Sequence, residues 1–470
     1  MSPKSKPAAL EFEGRAVTRA ELDARAAGLA AELSGTGVRT GDRVALMSSN
    51  RPEFVVAVLA IWRLGAAAVL ISPAWKHAEV RHALAVTAPV HGLGDQSVLA
   101  ELLPTRHLDA PVEPRADPPP DLDPDADAVL VFSSGTTGMP KAVRHTHASF
   151  AHAVRQWREV LGLTAADRIQ IATPPSHILG LLNIVTALDA GAWMRLHRRF
   201  DLETMLSCIQ EDRITVEMAV APIALAIAAH PDLERYDLSS LRYIMWGATP
   251  ITESVAEQVT ARTGVAWLPA YGASELPVIA CSPLGSSRLD TVGKAAPGVE
   301  IRVVSLDTGE TLSHGRIGEI QCRAASVMAG YLPEEANGSA FAEGWYRTGD
   351  VGFVDADGWI ALTDRAKEMI KVRGFQVAPA EVEAVLHAHP LVEDCAVFGV
   401  PHEGDGEAVI AAVCGHHALT EAELIESVGA TLAGYKRPRH IVFVPEIPRL
   451  PSGKVLRRVL KERYGRQTQR

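Results

Sequence analysis

What most limits the fold of this chain is a repeated alternation of short, wholly apolar runs with longer amphipathic ones. Residues 43–47 and 66–71 are apolar runs too short for a helix, and the stretch between them, 51–64, repeats its apolar positions at helical period. A short apolar run bounded by polar turns is the pattern of a strand covered on both faces, and strand–helix–strand closes as a right-handed parallel crossover. Ahead of it a helix is expected over 18–33, with Thr18 as N-cap and Glu21 completing a capping box. The alternation returns with strands at 128–132, 214–219 and 241–246 and helices at 149–161 and 254–263. The fold class expected is α/β.

Two stretches break the alternation. Residues 104–127 turn rich in Pro and Asp, with Pro118-Pro-Pro120 at their centre, and read as a surface connector. From 292 to 364 short strands are punctuated by turns such as Asp307-Thr-Gly309 and Asp355-Ala-Asp-Gly358, the pattern of a small β-barrel-like subdomain. Beyond it, helices at 380–388 and 421–432 and strands at 395–400 and 408–414 form an α+β unit. The expected organisation is thus a large N-terminal domain, 1–364, and a small C-terminal domain, 365–470. A chain of 470 residues has room for this, at about 150 residues per domain.

Composition narrows the function. Lys and Arg number 46 against 56 Asp and Glu, a net charge of −10 with no basic run, which argues against nucleic acid or an anionic membrane as partner. The apolar windows at 54–62 and 218–229 are too short to span a bilayer of about 30 Å. Cys208, Cys281, Cys322, Cys395 and Cys414 form no Cys-x-x-Cys pair and are odd in number, which fits reduced thiols. The polar start of the chain lacks the pattern of a secretory signal, so a cytoplasmic location is expected.

The most informative segment is Ser133-Ser-Gly-Thr-Thr-Gly-Met-Pro-Lys141, directly after an apolar strand. Small residues let backbone approach a polyphosphate, hydroxyls and amides donate to it, and a lysine adds a compact positive charge. A flexible Ser/Gly hairpin has the same composition, and on the residues alone both readings stand. It is not the Gly-x-x-x-x-Gly-Lys-Ser/Thr loop, because Lys141 follows Pro140 and leads into a strand.

The segment resembles the phosphate-binding signature of the adenylate-forming superfamily, the acyl- and aryl-CoA synthetases, luciferases and peptide-synthetase adenylation domains, and the chain looks coumarate-CoA ligase-like. Further motifs follow in that superfamily's order: Pro175-Ser-His177, Trp246-Gly-Ala-Thr-Pro250, Tyr271-Gly-Ala-Ser-Glu275, Tyr346-Arg-Thr-Gly-Asp350, Asp364-Arg-Ala-Lys-Glu368, Lys371-Val-Arg-Gly-Phe-Gln376 and Pro451-Ser-Gly-Lys454.

The resemblance implies ATP, Mg²⁺ and CoA as cofactors, a carboxylic acid as substrate, and a C-terminal domain that moves. It assigns Ser133, Ser134, Gly135, Thr136, Thr137, Gly138 and Lys141 to the phosphates, and Gly247, Ala248, Thr249, Tyr271, Gly272 and Ser274 to the nucleotide. Glu275 and Thr136 are implied as the magnesium side, and Asp350 and Arg365 as the ribose side. Lys454 is the implied catalytic lysine, assisted by Gln376 and Lys371; His177 stands beside the carboxylate. Lys367 is implied as the hinge and Gly374 as the place where the pantetheine arm passes. The implied acyl pocket is His177, Trp246, Gly247, Pro277 and Val278, mainly apolar, which points to an aryl or medium-chain acid. Ser176, His177 and Ile178 supply no carboxylate for an α-ammonium group, so an α-amino acid is disfavoured.

Departures limit the likeness. Pro269 and Ala270 precede Tyr271 where coumarate-CoA ligases tend to carry Gln and Gly, Ser274 replaces the commoner Thr, and Trp246 stands where many relatives carry a small residue. Alternatives are transfer to an amine, a carrier-protein thiol or another small nucleophile, a luciferase-like oxygenase, and a non-catalytic binding protein. Retention of Lys454, Glu275 and Asp350 argues against the last. A homodimer is compatible with the resemblance.

Overall fold

The computed structural model describes residues 8–118, 120–133, 140–247, 253–365, 368–372, 375–402, 406–417, 419–449 and 455–465. It separates into two compact units, Met1–Glu300 with Cys322–Tyr346, and Ile301–Gln321 with Arg347–Arg470.

The first unit is built on two sheets. One has seven strands, in the order Gly330–Leu332, Lys141–Thr146, Asp127–Ser133, Ala67–Ile71, Arg43–Met47, His91–Gly94, Thr105–His107. Its centre is parallel: Arg43–Met47 pairs with both Ala67–Ile71 and His91–Gly94, and all five residues of Ala67–Ile71 are buried. The second has nine strands and runs from Lys294–Ala295 through Ala280–Cys281, Trp267–Tyr271, Tyr243–Gly247, Val216–Val220, Arg168–Ile171 and Trp193–Leu196 to the hairpin Ala8–Phe12 and Arg15–Thr18. The five strands from Trp267–Tyr271 to Trp193–Leu196 are parallel.

The α/β expectation holds. The helix Arg19–Gly35 begins at Thr18, whose hydroxyl accepts from Glu21 N at 3.2 Å while Glu21 Oε2 accepts from Thr18 N at 2.7 Å. The Pro/Asp connector is only partly loop, because Thr105–His107 adds a parallel edge strand to His91–Gly94. Three residues are too few to show a period. Pro104, which cannot donate, sits just outside that strand and accepts from Gly92 N at 2.9 Å, the place an edge permits. Downstream the connector crosses the helix Arg19–Gly35 so closely that a Cβ on Gly28 would stand 2.0 Å from Glu113 O.

Gly318–Arg323 and Ile360–Arg365 are strands of a further sheet centred on Trp345–Val354. The C-terminal sheet is led by the long hairpin Val392–His402 and Gly406–Gly415, with Ile370–Val372, Phe375–Val377 and His440–Phe443 completing it. Val382, Leu386, Leu424 and Val428 pack on one of its faces and Ile447 and Leu460 on the other, which makes it an α+β unit. All five cysteines are free thiols, and burial pushes Cys281 up to about 12. Among the described residues no helix is long and apolar enough to cross a membrane.

Candidate functional site

In the nine-stranded sheet the parallel strands Arg168–Ile171, Val216–Val220, Tyr243–Gly247 and Trp267–Tyr271 present their carboxyl ends to one edge, where α/β folds place ligands. Gly247 and Tyr271 are the last residues of two of these strands. The residue after Tyr271 must be small, because a Cβ on Gly272 would lie 2.1 Å from Pro277 O. That approach folds the chain into a tight turn, with Ala273 N donating to Leu276 O at 3.0 Å and Ile279 N to Tyr271 O at 2.9 Å. Glu275 and Val278 are buried by it, Glu275 at 8% exposure.

Glu275 is held from two sides. Its carbonyl accepts from Met328 N at 2.8 Å, and its carboxylate Oε1 accepts the Tyr331 hydroxyl at 2.8 Å. Tyr331 belongs to Gly330–Leu332, which pairs with Lys141–Thr146 so that Tyr331 faces Val143. Two residues from Val143, the Lys141 ammonium lies 5.2 Å from the Tyr331 ring centroid. The strand's other end carries His145, fully buried, whose Nε2 is 2.7 Å from Ser274 O. Burial lowers the His145 pKa to about 4, so the ring is neutral and donates Nε2–H to that carbonyl. One strand therefore supports both the lysine and the turn that carries the glutamate.

Ser133 and Lys141 pair directly across the ladder of Asp127–Ser133 and Lys141–Thr146. Ser134, Gly135, Thr136, Thr137 and Gly138, expected at the phosphates, lie outside the described residues, as do Ala248 and Thr249. Trp246 is 2% exposed and packs on Trp267, 5.1 Å between ring centroids, within the core that also holds Ile223 and Val259. His177 is the N-cap of the helix Ile178–Ala190. A Cβ on Gly180 would meet Pro174 O at 2.2 Å, so glycine lets the Pro174-Pro175 turn sit against this helix. His177 is exposed, and desolvation by the surrounding protein lowers its pKa.

In the second unit Asp350 is 7% exposed, and its backbone N–H donates to Thr348 Oγ1 at 3.0 Å. Asp350 faces Arg365 across one hairpin and Lys371 faces Gln376 across another. Lys371 is exposed, with its backbone N–H on Glu407 Oε2 at 2.7 Å. Lys367, Gly374 and Lys454 lie outside the described residues. Just beyond Lys454, Arg457 bonds Glu368, Glu383 Oε1 at 2.7 Å and Val397 O at 2.9 Å.

Tyr331, His145 and Arg457 were not foreseen from sequence. Each acts through a partner far along the chain, and an isolated Tyr, His or Arg carries no motif. Among the described residues no group of three or more His, Cys, Asp or Glu is arranged to hold a metal. A single carboxylate such as Glu275 suits a hard cation that brings phosphate and water oxygens with it.

The family model of the AMP-binding enzymes matches residues 2–332, and that of the AMP-binding enzyme C-terminal domain matches 381–454. The chain is 34% identical to 4-coumarate–CoA ligase 1 of Oryza sativa subsp. japonica, over 96% of this chain and 88% of the relative. Among solved structures it is similar to ATP-bound MatB from Rhodopseudomonas palustris, with a TM-score of 0.93 at 29% identity, covering 98% of this chain and 96% of that one. It is also similar to the amide bond synthetase McbA from Marinactinospora thermotolerans, with a TM-score of 0.90 at 30% identity, covering 97% and 96%. The chain belongs to the AMP-binding enzyme family and carries that family's C-terminal domain after its larger one.

Proposed function

We propose that the protein is an AMP-forming acid–CoA ligase. A carboxylate attacks the α-phosphorus of ATP to give acyl-AMP and pyrophosphate, and the CoA thiol then attacks the acyl carbon and expels AMP. The observation that carries this reading is the Lys141–Tyr331–Glu275 cluster in a chain that matches a 4-coumarate–CoA ligase over nearly its whole length.

In this reading residues 133–138 and Lys141 take the phosphates, Tyr271 the adenine, and Asp350 and Arg365 the ribose side. Gly247, Ala248, Thr249, Gly272 and Ser274 line the nucleotide. Mg²⁺, when bound, neutralises phosphate charge, and Glu275 with Thr136 would hold it. Lys454 stabilises charge building on the α-phosphoryl group, with Gln376 and Lys371 assisting. His177, whose pKa is lowered by desolvation, stands beside the acid's carboxylate. The mainly apolar set of Pro277, Val278 and Gly247, with Trp246 in the core, favours an aryl or medium-chain acid.

The boundary at 364 falls between the two family matches, and Lys367 beyond it is the proposed hinge. About it 365–470 would swing to bring Gly374 to the pantetheine path. A cytoplasmic location and free thiols are compatible, as is a homodimer.

Likeness to an amide bond synthetase favours a second reading, in which the same adenylate passes to an amine or another non-CoA nucleophile. Mass spectrometry decides. The protein is incubated with ATP, Mg²⁺ and a panel of aryl and fatty acids, with and without CoA. Acyl-CoA supports the ligase, acyl-AMP that accumulates despite CoA supports the second reading, and neither product from any acid overturns both.

A further inference from the structure

We propose that Tyr331 is a positioning residue of the nucleotide site, aiming the Glu275 carboxylate at the metal and coupling it to Lys141. The inference rests on the adenylating reading above. A carboxylate that must present one oxygen to a small, geometrically demanding cation gains from having its other oxygen fixed. Here Tyr331 Oη donates to Glu275 Oε1 at 2.8 Å, which fixes the rotation of the carboxylate.

The same aromatic ring lies 5.2 Å from Lys141 Nζ, within cation–π range. A cation over the ring withdraws electron density and makes the phenol a better donor, so the lysine strengthens the bond that orients the glutamate. Tyr331 is itself held firmly. Asn337 Oδ1 accepts from Tyr331 N at 2.7 Å, and Asn337 Nδ2 donates to Tyr331 O at 3.2 Å. Gly330 stands at φ +145, and a Cβ there would lie 3.0 Å from Asn337 Oδ1, so the clamp needs glycine before the tyrosine. A side chain whose only task was to fill space would need neither a clamped backbone nor a hydroxyl on a buried carboxylate.

The test is a double-mutant cycle on the full-length protein with Tyr331→Phe, Glu275→Gln and the pair. Mn²⁺ affinity is measured by electron paramagnetic resonance in the presence of a non-hydrolysable ATP analogue, alongside melting temperature. Tyr331→Phe keeps the ring under Lys141 and removes only the hydroxyl. It should weaken Mn²⁺ binding about 10-fold or more and raise the metal concentration for half-maximal AMP formation to match. In the Glu275→Gln background the same change should cost less than about twofold, because the hydroxyl acts through the carboxylate. Equal losses in both backgrounds, or wild-type Mn²⁺ affinity in Tyr331→Phe, would overturn the inference. If Tyr331→Phe does not fold, Tyr331→Met, which also removes the hydroxyl, enters the same cycle with the same criteria. Wild-type protein that makes no adenylate yet binds Mn²⁺ with the analogue in a Tyr331-dependent way would sink the proposed function and leave this inference standing.

Discussion

A neutral histidine in one sheet fixes the position of a turn that follows a strand of the other. His145 is fully buried and reaches Ser274 O at 2.7 Å, one residue before Glu275. Replacing it with leucine leaves that carbonyl without its donor, at a cost of roughly 1–3 kcal/mol, and lets the turn drift. His145→Leu should therefore lower the melting temperature and raise KM for ATP, while His145→Gln, whose amide can still donate, should recover much of both. Equal KM values in the two variants would mean that the bond supports the core and not the site. The ring also gives stability a pH dependence. The folded pKa of about 4 lies below the ordinary value of 6.5, so between those limits the unfolded chain binds the proton that the folded one refuses. Stability at this group is complete above pH 6.5 and falls by about 1.4 kcal/mol per pH unit on acidification towards 4. His197, also lowered to about 4 by burial, has the same sign. Melting temperatures between pH 7 and 4 should fall more shallowly for His145→Gln than for wild type.

At the scale of elements, two neighbouring strands and the residue after a third share one buried polar chain. Glu217 Oε2 accepts from Gln170 Nε2 at 2.5 Å, the Gln170 carbonyl oxygen is 2.8 Å from His197 Nε2, and Glu217 Oε1 is buried with no partner among the described residues. Burial raises the Glu217 pKa from 4.5 to about 7, so this group destabilises the fold increasingly as pH rises between those values, opposite in sign to the histidines. Glu217→Gln keeps an acceptor for Gln170 and removes the charge. It should melt like wild type near pH 4 and be more stable by about 3 kcal/mol above pH 7. A difference independent of pH would mean that Glu217 does not titrate in the fold. This chain also shows where reading the sequence stops. The strand Arg43–Met47 and the box of Thr18 and Glu21 were legible to the residue, because apolar runs and capping are local properties. Glu217 sits inside an apolar run and gives no local sign of its partners on other strands. Nor does any local pattern show that Gly330–Leu332 pairs with Lys141–Thr146, the contact that brings Tyr331 to Glu275. The motif residues Lys141, Tyr271 and Glu275 could be named in advance, but what holds them depends on pairings between distant segments.

At the scale of the whole molecule, the proposed chemistry asks one acyl group to meet two partners in turn. Adenylation needs positive charge at the α-phosphorus, whereas thioester formation needs an open path for a thiol and no further help at the phosphate. A residue essential to one arrangement can then be dispensable in the other. Lys454 and Gly374 are proposed to serve different arrangements. Arg457, three residues past Lys454 in sequence, is tied to Glu368 and Glu383. Lys454→Ala should cut acyl-AMP formation by about 100-fold or more, by analogy with loss of one electrostatic donor in a preorganised site. It should leave conversion of supplied acyl-AMP and CoA to acyl-CoA near the wild-type rate. Gly374→Leu should do the converse, because a branched side chain fills the space that only glycine leaves for the arm. Single-turnover assays of each half-reaction separate the outcomes. If either variant loses both half-reactions equally, the two residues act in one arrangement, and the swing of 365–470 about Lys367 is not how this enzyme divides its work.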